Sequence, residues 1–266
     1  MSDTGEFLVA WDENVKTITF NNPKRRNALA PETARTVAEE VEKSAGDDTR
    51  VLILTGAGGA FSAGADLGSD HFSQLETGVF PSEADIDEMV STTYHRLTRA
   101  VHDLPVPVIA AVDGVAAGFG CSLALLADFT LASTRAQFIE VFINIALIPD
   151  GGSTYILPKL VGMKKALEMA LTGDPVPAEE ALRLGMVNRV YSPEELPEQA
   201  LAWARRLARG PVKSMGIARK TFYEAQQLNL RDTLDLESRR QARLMTQPNF
   251  VNAVLAFFRK KKPTFD

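Results

Sequence analysis

The amino-acid sequence predicts an α/β protein in which short buried strands alternate with helices, followed by an all-helical C-terminal stretch. Three observations carry this prediction. Compact apolar runs such as Val51-Leu52-Ile53-Leu54-Thr55 have the length of strands covered on both faces. Glycine-containing turns follow two of these runs directly. From Ser192 onward, apolar residues recur at helical spacing almost to the last residue.

Each element follows from local chemistry. Phe7–Trp11 and Val15–Phe20 read as paired strands across the turn Asp12-Glu13-Asn14, and Asn21-Asn22-Pro23 stops the second. Pro31 suits a first helical turn, and Ala34, Val37, Ala38 and Val41 line one face of that helix before Gly46 ends it. Strands at 51–55, 108–112 and 129–132 then alternate with helical patterns, which is the signature of an α/β core. Ser192-Pro193-Glu194-Glu195 is a capping box, with serine as the cap and glutamate at the third position. Helices at 194–208, 212–226, 230–245 and 249–259 follow, suited to packing on another subunit. The sequence shows no fixed-period repeat, low-complexity tract or Pro/Gly/Ser-rich linker.

Composition narrows the function classes. The chain has 266 residues, 45% hydrophobic and 24% charged, which argues against disorder and coiled coil. A net charge of −5 argues against a general nucleic-acid binder. A single cysteine excludes an internal disulfide framework and a multi-cysteine metal site, and it fits a reducing cytoplasm. The opening Met-Ser-Asp-Thr-Gly-Glu is polar and acidic, unlike a signal peptide. The apolar stretch 106–127 is broken by Asp113 and three glycines, so it reads as buried core and not as a membrane span. The expectation is a cytoplasmic protein without metal, nucleic-acid or membrane partners.

The two glycine turns carry the functional signal. The first, Gly56 to Leu67, follows the strand at 51–55, and the second, Asp113 to Ser122, follows the strand at 108–112. Glycines let the chain turn sharply and let a ligand approach the backbone. A strand–turn–helix junction leaves N–H groups unpaired at a positive helix end. Two such turns together can form an oxyanion hole; equally, the glycines can serve only as tight turns. Neither turn has the pattern of a phosphate loop or a dinucleotide site.

Asn27-Ala28-Leu29, Ala60-Phe61-Ser62-Ala63-Gly64-Ala65-Asp66-Leu67, Gly114-x-x-x-Gly-x-Gly-Cys, Ile148-Pro149-Asp150-Gly151-Gly152, Gly185-Met186-Val187 and the terminal Phe257…Lys260…Pro263…Phe265 occur in one order along the chain. As an ensemble they resemble the enoyl-CoA hydratase/isomerase (crotonase) superfamily over residues 7–265. The Pro-Asp-Gly-Gly surroundings are most similar to those of its ring-1,2-epoxyphenylacetyl-CoA isomerase-like members. The resemblance implies a crotonase-like spiral of ββα units over residues 1–195 and a helical C-terminal trimerisation region over 196–266. It implies a homotrimer, or a hexamer made of two trimers. It also implies an acyl-CoA thioester as substrate, with coenzyme A entering only as part of it and no separate cofactor.

The site residues come with the resemblance. The main-chain N–H groups of Ala65 and Phe119 map to the donors that hold a thioester enolate. The two glutamates of familiar hydratases fall on Ser122 and Phe142, neither of which can act as a carboxylate base. Asp150 maps to the acid position of isomerase members and would carry a proton from one carbon to another; its other reading is a cap on the helix near Gly152. Lys24, Arg25 and Arg26 would meet the phosphates of CoA or would be solvated charges. Ala28, Ala63, Asp66, Leu67 and Gly118 would contact the ligand, with Asp66 also read as a helix cap. Phe257 and Lys260 match positions that reach CoA from a neighbouring subunit, although the run 259–262 also suits a helix end.

The remaining expectations concern the acyl pocket and other ionisable groups. Leu67, Phe72, Met89, Phe119, Phe142 and Leu147 are the expected acyl-pocket walls, and their phenylalanines suggest an aromatic or medium-length acyl group. Glu140 reads as a surface ion pair or as a second acid, and His71, His95 and His102 as solvated or packed. Cys121 reads as a small buried packing residue, and Ser122 has no assigned base to make it a nucleophile. The resulting expectation is an acyl-CoA isomerase that shifts a double bond or opens an epoxide-type ring. A hydratase with non-standard acids and a non-catalytic acyl-CoA binder are the alternatives.

Overall fold

The computed structural model describes residues 2–3, 5–69, 78 and 81–265. His71 and Phe72 lie outside the described residues. Strands β1 (Ser2–Asp3), β2 (Phe7–Asp12) and β3 (Val15–Phe20) pair antiparallel. β4 (Val51–Gly56), β5 (Val108–Val112), β7 (Phe129–Ser133) and β10 (Arg189–Tyr191) then add in parallel, giving one seven-stranded sheet. A smaller sheet holds β6 (Val115–Ala117), β8 (Gln137–Ile139) and β9 (Val176–Pro177) in the order β6-β8-β9.

The chain steps between the two sheets, and this makes the spiral. β5 lies in the large sheet, β6 in the small one, and helix α4 (Phe119–Leu126) completes the turn. β7, β8 and helix α5 (Ser153–Thr172, interrupted at Gly162) repeat the step. Single-residue bridges Ser62↔Ala116 and Leu29↔Ala65 extend the small sheet towards the first glycine turn. This is the expected spiral of ββα units.

Two cores explain the unbroken apolar runs 51–54 and 108–112. Leu52 and Leu54 of β4 face an inner core with Ile18, Phe20, Phe61, Leu97 and Leu123. Val51 and Ile53 face the other side, where Leu196, Ala200 and Ala204 of helix α7 (Leu196–Ala208) cover the sheet. Helix α1 (Pro31–Lys43) buries Ala34, Val37, Ala38 and Val41 as its spacing predicts. The stretch 83–103 does not run as one helix. It splits into α2 (Glu83–Thr92) and α3 (Tyr94–Asp103), because Thr93 leaves helical geometry with φ −115 and ψ −85.

The capping box at Ser192 forms as expected, with Ser192 and Glu195 exchanging side-chain and main-chain hydrogen bonds. Helices α6 (Ala178–Leu184), α8 (Val212–Ala225), α9 (Leu230–Met245) and α10 (Pro248–Phe258) complete the chain. Among the described residues no helix is long and apolar enough to cross a membrane.

One side chain docks the C-terminal helices on the spiral. Arg219 of α8 pairs with Asp128 and donates to the carbonyls of Leu104 at 2.9 Å and Val101 at 2.8 Å. Those carbonyls end helix α3, where a cation complements the helix dipole. The second carboxylate oxygen of Asp128 accepts from Val108 N at 2.8 Å, so the pair also holds the start of β5. Removing one partner of a buried ion pair strands the other charge. Arg219→Ala should therefore lower stability by about 3–5 kcal/mol, read as a reduced midpoint in urea unfolding, whereas Arg205→Ala, at an exposed pair with Asp12, should leave the midpoint almost unchanged.

Candidate active site

The first glycine turn is tied down by Asn27. This residue is buried at positive φ, and its Nδ2 donates to Ala57 O at 2.8 Å and Ala60 O at 2.7 Å. Its carbonyl accepts from Ser62 Oγ at 2.8 Å, and Arg26 O accepts from Ala63 N at 2.8 Å. The loop 24–28 is thus laid directly against 57–63. In the Leu29↔Ala65 bridge, Leu29 N donates to Gly64 O and Asp66 N donates to Leu29 O, each at 2.8 Å. Both neighbours of Ala65 face Leu29, so the alternation of the extended chain turns the N–H of Ala65 to the opposite side.

The second turn meets it there. Gly118 N donates to Ile139 O at 2.9 Å, which fixes the turn on β8. Phe119 is the first residue of helix α4, so its N–H has no acceptor within the helix. Gly64, at φ +91, lies so close that a Cβ there would stand 2.7 Å from Ala117 O and 3.2 Å from Phe119 N. Only glycine permits this approach. Neither Ala65 N nor Phe119 N donates to an acceptor among the described residues. The structure therefore brings the two segments together with both amides available.

The turn that carries Asp150 packs against Phe119. Gly151 packs under the Phe119 ring, where a Cβ would stand 2.8 Å from the ring edge. The Phe119 ring also meets Tyr94 edge-on, with centroids 5.1 Å apart. Asp150 does not cap helix α5. Gly152 occupies the cap position, and Ser153 N bonds the carbonyl of Asp150, not its side chain. The Asp150 Oδ1 atom is buried without a hydrogen-bond partner among the described residues. Burial pushes this carboxyl above its ordinary value, and His95 on α3 acts in the opposite sense. Tyr94 donates to Leu29 O at 2.9 Å, and burial, with Asp66 and Asp150 nearby, raises its phenol.

Several other expectations are corrected. Glu140 is not in a surface ion pair but is fully buried, and its Oε1 accepts from Ser153 Oγ at 2.7 Å. Burial raises it to about 6, against hydrogen bonding from Ser153 and Cys121 and with a further rise from the charge of Asp150. Asp66 caps no helix. It pairs with Arg25 at 2.6 Å and accepts from Gly68 N, closing a turn. Arg25 is thereby committed to Asp66, leaving the exposed Lys24 and Arg26 without an ion-pair partner among the described residues.

The remaining residues divide by place. Ala28, Ala63 and Leu67 line the joined loops, with Leu67 half exposed. Phe142 is buried, and its ring would lie 3.7 Å from a Cβ on Gly118. Leu147 is half exposed. Ser122 is buried, with its hydroxyl donating to Gly118 O, and Cys121 is buried as expected. Phe257 and Lys260, at the exposed end of α10, make no hydrogen bond, ion pair or ring contact with 63–67 or 118–119. Glu140, Tyr94 and His95 were the residues least accessible to sequence reasoning. The apolar neighbours Phe138, Ile139, Val141 and Phe142 were the available sign that Glu140 lies inside.

Comparison with known proteins agrees with this geometry. Residues 11–266 match the family model for enoyl-CoA hydratase/isomerase. The chain is 37% identical over 262 residues to 1,2-epoxyphenylacetyl-CoA isomerase of Escherichia coli (strain K12), covering 98% of each protein. It is 31% identical over 259 residues to crotonyl-CoA hydratase of Syntrophomonas wolfei, covering 96% of this chain and 95% of that one. A solved enoyl-CoA hydratase from Mycobacterium smegmatis superposes with a TM-score of 0.88 at 30% identity, over 97% of this chain and 98% of the other. With the paired glycine turns and the spiral that joins them, these findings make the chain a member of the enoyl-CoA hydratase/isomerase family.

Proposed function

We propose that the protein is an acyl-CoA isomerase working through a thioester enolate, with Asp150 as the proton carrier. The observation that carries this reading is a buried Asp150 Oδ1 without a hydrogen-bond partner among the described residues, on a turn that packs through Gly151 against the ring of Phe119, whose own amide is unpaired. In the 3-enoyl case, Asp150 takes a proton from the carbon between the thioester carbonyl and the double bond. The electron pair moves to the thioester oxygen, where the N–H groups of Ala65 and Phe119 hold the charge. The electrons then return, and Asp150 delivers the proton to the far carbon of the former double bond. The result is a 2-enoyl thioester with every atom conserved. A strained epoxide next to a thioester suits the same cradle, as the name of the Escherichia coli relative suggests.

The groups around the cradle fit that role. Ser122 and Phe142 offer no carboxylate to hold a water, which favours proton transfer over hydration. Lys24 and Arg26 flank the joined loops with unpaired charge suited to CoA phosphates, and Ala28 and Ala63 present backbone beside them. The apolar surface of α9 and α10, including Leu234, Phe250, Phe257 and Phe258, suits packing against other copies in a trimer or hexamer. In such an assembly Phe257 and Lys260 would reach a neighbour's CoA. A second reading, hydration by Asp150 and Glu140 together, is favoured by the burial of both acids on one loop.

A substrate pair separates the readings. An isomerase gains conjugated absorbance with 3-enoyl-CoA; a hydratase loses it with crotonyl-CoA; a binder changes neither. Asp150→Asn should lower isomerisation by about 10²–10⁴-fold and leave CoA binding within about twofold, and retained turnover would refute the shuttle. Ala65→Pro removes one donor and should lower kcat by about 10²–10³-fold, measured beside its melting temperature to separate folding from catalysis. Because the proton carrier must start ionised and its carboxyl is raised by burial, activity should fall on acidification at a pH above that at which an ordinary aspartate protonates. A kcat profile flat down to pH about 4 would contradict this.

A further inference from the structure

Proton transfer by Asp150 leaves one buried acid without a task. Glu140 is 0% exposed, and its Oε2 has no hydrogen-bond partner among the described residues. For packing alone, a neutral side chain of similar size would fill this place without the desolvation cost. Its position is specific. Ile139, the preceding residue, holds the Phe119 turn through Gly118 N. The Glu140 carboxyl accepts from Ser153 Oγ at 2.7 Å, and Ser153 N donates to Asp150 O at 3.1 Å. A continuous hydrogen-bonded path therefore runs from the Glu140 carboxyl to the backbone of Asp150.

The surroundings make the two carboxyls electrostatic neighbours. From α4, the Cys121 thiol faces Glu140, and from the 150–153 turn Asp150 does. From α3, His95 and Tyr94 face Asp150, with Asp66 beyond Tyr94. Among the described residues no lysine or arginine forms an ion pair with either acid. With no lysine or arginine on either acid, and His95 opposing the rise of Asp150, each carboxyl's ionisation makes the other's harder.

We propose that Glu140 is a positioning residue for the reaction: through Ser153 it fixes the turn that aims Asp150, and its charge sets how tightly Asp150 holds the travelling proton. The inference rests on Asp150 being the shuttle. With Glu140 ionised, Asp150 is the stronger base; with Glu140 protonated, it is the weaker one. Burial keeps Glu140 protonated up to about 6, so the switch lies inside the accessible range. The proton of Glu140 itself never enters the substrate.

The test is the pH dependence of 3-enoyl-CoA turnover in the full-length protein. The parent enzyme should show a two-step acid limb, the upper step near 6. In Glu140→Gln, which keeps the size and an acceptor for Ser153, the upper step should vanish. At neutral pH kcat should fall about threefold to tenfold, with KM within about twofold. Limbs of the same shape in both proteins overturn the inference, whatever happens to kcat, because a purely structural loss leaves the shape alone. Should Glu140→Gln fail to fold, Ser153→Ala retains both carboxyls and removes a bond that favours the ionised Glu140. Its upper step, and the Glu140 carbon-13 titration in the unliganded protein, should then move to higher pH, and an unmoved titration overturns the inference. Asp150→Asn, assayed alongside, separates the two levels. If it is inactive while the limb of Glu140→Gln is unmoved, only the role of Glu140 falls; if it is active, the shuttle falls with it.

Discussion

The close approach of Gly64 to the Phe119 amide is the constraint on which the site depends. A Cβ at residue 64 would stand 2.7 Å from the carbonyl of Ala117, a contact with backbone that no side-chain movement relieves. The approach joins the end of one spiral turn to the start of the next. It places an extended segment, whose N–H is turned away from its own bridge, beside the first N–H of a helix. Each amide is unpaired for a different reason: one by the alternation of a bridged strand, the other by the geometry of a helix start. Two unpaired main-chain donors, the groups that the proposed oxyanion cradle needs, arise from these two ordinary consequences of backbone hydrogen bonding.

The rest of the molecule serves that approach. Asn27 fastens the first turn through two donated bonds and one accepted by its carbonyl. Tyr94 bonds Leu29 O, the atom that also receives Asp66 N, while its ring braces Phe119. One side chain thus touches both halves of the cradle. The Arg219–Asp128 pair sets the C-terminal helices against the end of α3, the helix that carries Tyr94 and His95. Mechanical order and electrostatics coincide at the 150–153 turn, where Gly151 and Gly152 take positive φ, Asp150 keeps its Oδ1 buried, and Ser153 bonds the buried Glu140.

Much of this was legible in the chain. The parallel strands are apolar over 51–54 and 108–112 because both faces of the sheet are covered. Short-range chemistry placed the C-terminal helices within a residue or two, since caps and spacing act locally. Where a residue's state depends on something distant, local reading went astray. Asp66 looked like a helix cap because its partner Arg25 lies 41 residues away. Glu140 looked exposed because an acid usually is. Its burial is decided by segments distant along the chain, with Gly118 N donating to the carbonyl of the preceding Ile139 and Ser153 Oγ donating to its own carboxyl.

The amino-acid sequence alone determined the α/β alternation, the two glycine turns and the presence of an aspartate in the Pro149-Asp150-Gly151-Gly152 turn. These are properties of spacing and residue type, which neighbours along the chain can enforce. Only the tertiary structure decided that the two turns meet, that Asp150 is left without a partner, and that a second carboxyl is shut in behind it. Those facts depend on contacts between segments tens of residues apart, and on which polar groups lose water when the segments close. Desolvation is a property of the packed whole, so no stretch of sequence carries it.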